Sequence, residues 1–283
     1  AIAPHCRWAK GPTLIAWTRD DRRSVRADDS RMAVRPLPAV IVGVVALAAL
    51  VGASTTATAG RACISGPRAG GYSYAGHQAS HRGHGVRATI TATRSPNVDA
   101  GHVAGWVGVG GPRQGANGKD AWIQAGIAST PGVDPFLYAE VTRNGRQPEF
   151  ILVSEGVAVG ESHDIAVLEL PSRPGWWRVR VDGEAVTQPV PLRGSSGRWA
   201  PIATAESWNG GKSSCNAFGF RFERVSVSYG GGGSWRPFVP AHRFLDGVHT
   251  LRELAAPPAK PGAYRRARAG KGVPPYAFVA ASS

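Results

Sequence analysis

Between residues 60 and 240 apolar and polar positions alternate with a period of two, and the 3.6-residue spacing of an amphipathic helix is nearly absent. Runs rich in β-branched and aromatic residues recur at 86–93, 104–109, 121–127, 136–142, 149–154, 164–170, 176–181, 199–205 and 218–229. Alternation bounded by Gly, Pro, Asn and Asp predicts half-buried strands, because successive side chains in a strand point to opposite faces. Asn144-Gly145 and Asp182-Gly183 predict tight turns, both residue types tolerating positive φ. Within 176–181, Trp177, Val179 and Val181 should face a core while Trp176, Arg178 and Arg180 face away. The expectation is an all-β fold, an antiparallel β-sandwich of jelly-roll or concanavalin-like type.

Outside that stretch the pattern changes. Gly230 to Gly233, Trp235, a Pro/Ala-rich segment at 255–263 and the cluster Arg265, Arg266 and Arg268 form an excursion at about 230–275. A short helix is expected around 250–255, and 276–280 reads as a last strand returning to the same domain. Upstream, Met32 opens a basic start with Arg35, followed by an apolar run at 37–53 and an A-x-A site at Ala57 to Ala59. This is the layout of a signal peptide at 32–59 cleaved before Gly60; the alternative is a membrane anchor, since 37–53 is near the shortest span that crosses a bilayer. Residues 1–31 then form an upstream extension, 60–85 an N-terminal arm, and 86–283 the sandwich domain. Cleavage makes the protein secreted, with no stable membrane insertion afterwards. In an oxidising compartment the two cysteines left, Cys63 and Cys215, are expected to form one disulfide.

The chain carries 33 Lys and Arg against 19 Asp and Glu, a formal net charge of +14. A positive exterior favours anionic partners such as cell-wall polymers, yet no nucleic-acid-binding motif accompanies it, so no specific nucleic-acid partner is expected. His77, His81 and His84 lie in a Gly/Ser/Tyr-rich stretch read as a solvated arm, and neither a metal nor a cofactor is assigned. The glycine-rich 108–118 is followed by Lys119 and Asp120, where a phosphate-binding loop needs Ser or Thr. Ser162, His163 and Asp164 are neighbours on a strand and cannot form a hydrogen-bonded triad.

The blocks AGWVGVGG (104–111), AWIQAG (121–126), YAEV (138–141), VAVGESHDIAVLEL (157–170), GWWRVRVDG (175–183), TAES (204–207) and FRFERVSVS (220–228) resemble, in order, the eqolisin or glutamic peptidase family. The resemblance covers about 86–229 and implies two packed seven-stranded antiparallel sheets. It implies a catalytic dyad of Gln124 and Glu206, the Glu acting as general base on water and the Gln amide donating to the oxyanion. It also implies Glu140, Trp106 and Trp122 as substrate-binding residues in the same cleft. Matching the family's A-E dipeptide selects Glu206; a shifted match would put Ile202 at that position and break the dyad.

Three functions remain open on the sequence: a secreted peptidase acting on protein or peptide, a non-catalytic sandwich binding peptide or cell-wall glycan, and an envelope protein held to anionic polymers by its Arg surface. In the second, exposed Trp176 or Trp208 would supply a stacking platform.

Overall fold

The computed structural model describes residues 71–210, 215–246, 249–255 and 276–282. Among them, strands β1 (Tyr72–Ala79), β2 (Gly85–Ala92), β3 (His102–Gly111), β4 (Ala121–Ser129), β5 (Phe136–Thr142), β6 (Glu149–Ser154), β7 (Ser162–Glu169) and β8 (Trp176–Val181) come first. Two short strands follow, β9 (Glu184–Ala185) and β10 (Val190–Pro191), then β11 (Ile202–Trp208), β12 (Gly219–Ser228), β13 (Trp235–Pro237), β14 (Pro240–Leu245), β15 (His249–Ala255) and β16 (Tyr276–Ser282). They build the antiparallel β-sandwich that the alternation predicts. One sheet has seven strands in the order β14-β1-β11-β3-β4-β5-β6; the other has nine, β10-β8-β7-β2-β12-β16-β15 with β9 on β8 and β13 on β12.

The two inner faces meet in one apolar core. Val107, Ile123, Ala125, Val141 and Ala205 of the seven-stranded sheet pack with Val86, Ile90, Val167, Trp177 and Phe222 of the other. Trp177 stacks on Trp199 with ring centroids 6.2 Å apart, and Phe222 on Phe278 at 4.5 Å. Truncating such a fully buried aromatic to Ala costs about 3–5 kcal/mol, so each of these rings contributes substantially to the core. The hairpin signals act as expected. Asn144 and Gly145 have φ of 47° and 74°, Asp182 and Gly183 of 51° and 87°. In β12 the register to β2 shifts between Glu223 and Ser226, and Arg224 sits at φ 53°, a bulge that swings its side chain back over β2.

Two expectations are corrected. Residues 72–79 are no solvated arm: β1 pairs with both β11 and β14, and His77 is buried, with its ring edge-on to Tyr276 and Phe278. Residues 249–255 form a strand, because β15 finds a ladder partner in β16 that outweighs the helix-favouring Leu-Arg-Glu-Leu. The expected upstream extension, signal segment and Arg265–Arg268 cluster lie outside the described residues. So does Cys63, and with it the Cys63–Cys215 pairing; Cys215 stands just before β12, its backbone N–H donating to Asp99 Oδ2 at 3.0 Å.

Candidate functional site

Alternation places Trp122 and Gln124 on the face of β4 opposite Ile123 and Ala125, which enter the core. The outer face of the seven-stranded sheet therefore carries Gln124, and the pairing registers carry Trp106, Glu140 and Glu206 to the same face. An aromatic cluster surrounds them, including Tyr74, Trp106, Trp122, Tyr138 and Phe244. All the polar and aromatic residues that the sequence singled out for this site share one surface.

Their rows differ. Gln124 is opposite Gly108 of β3 and Glu140 of β5, whereas Glu206 is opposite Ala104 of β3. Gln124 and Glu206 thus stand two strands and four residues apart, roughly 15 Å between Cα atoms from ordinary strand spacings. The residue of β11 in Gln124's own row, also opposite Gly108, is Ile202. Gly108 keeps that row open: a Cβ there would lie 2.8 Å from the Cβ of Gln124.

Gln124, Glu140 and Glu206 each reach a different aromatic partner. The indole N–H of Trp106 donates to Glu206 Oε2 at 3.2 Å, and His102 Nε2 lies 2.8 Å from Oε1. The indole N–H of Trp122 donates to Glu140 Oε1 at 2.7 Å, while Glu140 Oε2 is buried with no hydrogen-bond partner. Burial pushes the Glu140 carboxyl up to about 8; the Trp122 bond opposes this and the charge of Glu206 adds to it. The Gln124 amide N–H points to the Tyr138 hydroxyl at 3.4 Å. Both glutamates consequently act on the tryptophans, fixing each ring by its N–H.

A shallow cleft opens beside Gln124, walled by Tyr74, Trp106, Trp122 and Phe244 and floored by Ile202 and Thr204. Neither Glu140 nor Glu206 lines it. Sequence reasoning had no role for His102, although it lies four positions before Trp106 and so on the same strand face. Phe244 was equally hidden, since its strand reaches the site only by pairing with β1. Trp176 and Trp208 offer no free platform: Arg173 covers the Trp176 ring at 3.7 Å, and Trp208 stacks on Tyr72 at 5.8 Å. Among the described residues no group of three or more His, Cys, Asp and Glu is placed to hold a metal ion.

No family model and no curated protein matches the chain. Among solved structures, SCP-B, a member of the eqolisin family of peptidases in complex with the tripeptide Ala-Ile-His, is similar at 14% identity and a TM-score of 0.42, over 74% of this chain and 97% of that one. Scytalido-glutamic peptidase with a peptide-based transition-state analogue gives 13% identity and 0.40 over the same shares. A Bacillus licheniformis β-glucanase gives 15% and 0.33, over 53% of this chain and 68% of that one. Likenesses this remote carry no argument about what the chain does.

Proposed function

We propose that the outer face of the seven-stranded sheet is a peptide-binding cleft that holds an extended segment without hydrolysing it. The observation that carries this reading is where the carboxyl groups stand about Gln124: Glu206 is two strands and four residues away, Ile202 fills Gln124's row on β11, and Glu140, in that row on β5, is buried on the Trp122 indole with its carboxyl pushed up to about 8. General-base attack and oxyanion stabilisation must act on one carbonyl, and an isoleucine supplies neither a base nor a donor. The aromatic walls suit apolar side chains of a bound strand, and the Gln124 amide suits its backbone. Titration of the full chain with an unfolded protein or its fragments should show saturable binding that Gln124→Ala weakens, with no cleavage from pH 2 to 7. Displacement of the peptide by a neutral oligosaccharide would move the assignment to glycan.

A second reading, hydrolysis by Gln124 with Glu206, is favoured by one observation: the residues implied by the ordered motif blocks all reach the same face. Cleavage of an unfolded protein at acidic pH, lost in both Gln124→Ala and Glu206→Gln while the fold persists, would establish it and overturn the binding reading. Either function fits an exported protein, which we propose from the segment 32–59. Recovery of a mature chain beginning at Gly60 and without free thiols would support export and the Cys63–Cys215 bridge; a chain retaining 37–53 would contradict cleavage.

A further inference from the structure

The opposite surface of the sandwich, the outer face of the nine-stranded sheet, holds a second and chemically different groove. Arg180 of β8 is opposite Ala166 of β7, which is opposite Arg87 of β2. Two guanidinium-bearing side chains thus flank one small residue, roughly 10 Å apart across two inter-strand spacings. In the next row Arg178 is opposite Leu168, and Gly232 and Gly233 with Trp235 close that end.

The carboxylates in this groove already have partners. Asp164 accepts from Arg224 Nη2 at 2.7 Å and from Thr89 at 2.5 Å, and Glu169 is buried on His84 and the backbone N–H of Gly175. Among the described residues, Arg87, Arg178 and Arg180 have no carboxylate within ion-pair distance. Arg180 donates to the Gly183 carbonyl at 2.6 Å, Arg87 lies over the Trp235 ring at 4.7 Å, and Arg178 Nε is buried with no hydrogen-bond partner. Three cations converge on a groove whose acids are occupied.

We propose that this groove binds a linear anionic polysaccharide, whose carboxylate or sulfate groups are held by Arg87, Arg178 and Arg180 across the Ala166 floor. Planar guanidinium groups hold both kinds of oxyanion in bidentate fashion. The spacing of Arg87 and Arg180 suits a chain that presents charges two sugar units apart to the same side. A single-stranded nucleic acid fits less well, because base stacking needs a free aromatic face and Arg87 covers that of Trp235. This site lies on the other sheet from the peptide cleft and is independent of it.

The test titrates the full chain with polygalacturonate, heparin, neutral dextran and a single-stranded oligonucleotide at two salt concentrations. Binding to polygalacturonate alone assigns a uronate ligand, binding to heparin alone a sulfated one, and binding to both an oxyanion groove without preference between them. Dextran should not bind. Arg87→Gln with Arg180→Gln should weaken binding by about tenfold or more. The equally neutralising pair Arg146→Gln and Arg252→Gln, exposed elsewhere, should change it less than about twofold. Should the first pair fail to fold, Ala166→Glu serves instead, since its carboxylate would occupy both flanking guanidiniums. Equal losses from the two pairs, an oligonucleotide that outcompetes both polysaccharides, or no binding to either would overturn the proposal.

Discussion

The two outer faces of this sandwich use the same strand alternation to opposite ends. On the seven-stranded sheet the outward side chains are aromatic, and the carboxylates among them turn inward to hold indole N–H groups. On the nine-stranded sheet the outward side chains include Arg87, Arg178 and Arg180, set about Ala166 and Leu168 with no carboxylate at ion-pair distance among the described residues. Alternation assigns a face; what the face does depends on whether its polar groups find partners within it. Where they do, polarity becomes architecture, and where they do not it remains available to a ligand.

Removing one wall should separate the faces most sharply. Trp106→Ala deletes a buried ring and leaves Glu206 Oε2 without its donor, so a loss of roughly 3–5 kcal/mol in chemical denaturation is expected, together with loss of peptide binding. A loss below about 1 kcal/mol would mean that the indole–carboxylate contacts are incidental to the fold.

The next effect depends on pH. The raised Glu140 carboxyl gives the folded state a proton that the unfolded chain releases near 4.5. Its contribution is whole below that value and is lost as pH rises through about 8, at most roughly 3–5 kcal/mol. Urea midpoints should therefore fall across this window, and Glu140→Gln should flatten the fall. An unchanged profile in the variant would remove Glu140 from the account.

His77 works in the opposite direction. Burial, assisted by Arg243, lowers it from 6.5 to about 4, so its contribution is present above 6.5 and is lost as pH falls through about 4. Roughly 2–3 kcal/mol is expected at stake, and His77→Gln should blunt acid unfolding. The span from pH 6.5 to 8 belongs to Glu140 alone of these two, which makes the signs separable. The smallest effect is on the other sheet: Arg178→Gln or Arg180→Gln should shift stability by no more than about 0.5 kcal/mol at any of these pH values, because neither guanidinium has an ion-pair partner to lose.

Much of the frame was legible in the chain. The runs at 121–127, 136–142 and 176–181 match β4, β5 and β8 closely; β8 has one buried face that imposes a period of two, while β4 and β5, buried on both faces, read as apolar-rich runs bounded by turn residues. β1 was not legible, since Ser73, Gly76, His77 and Gln78 give it the look of a polar linker, and it becomes a strand only by pairing with partners more than 120 residues away. The site divides in the same way. That Trp122 and Gln124 share a face follows from parity within one strand. Which residue of β11 meets Gln124 depends on the slide of one strand past another, and nothing local in Ile202-Ala-Thr-Ala-Glu206 encodes it. The two candidates for that position, Glu206 and Ile202, both satisfy the parity, and only the register to β3 distinguishes them.

The place of β1 in the sheet also sets an order of events. Its two neighbours, β11 and β14, are synthesised long after it, so its backbone edges stay unpaired until residues as late as 245 are available. Pairing between strands so far apart in sequence makes for slow folding. A chain interrupted before β11 would leave β1 and one edge of β3 bare together, two ready templates for intermolecular strand pairing.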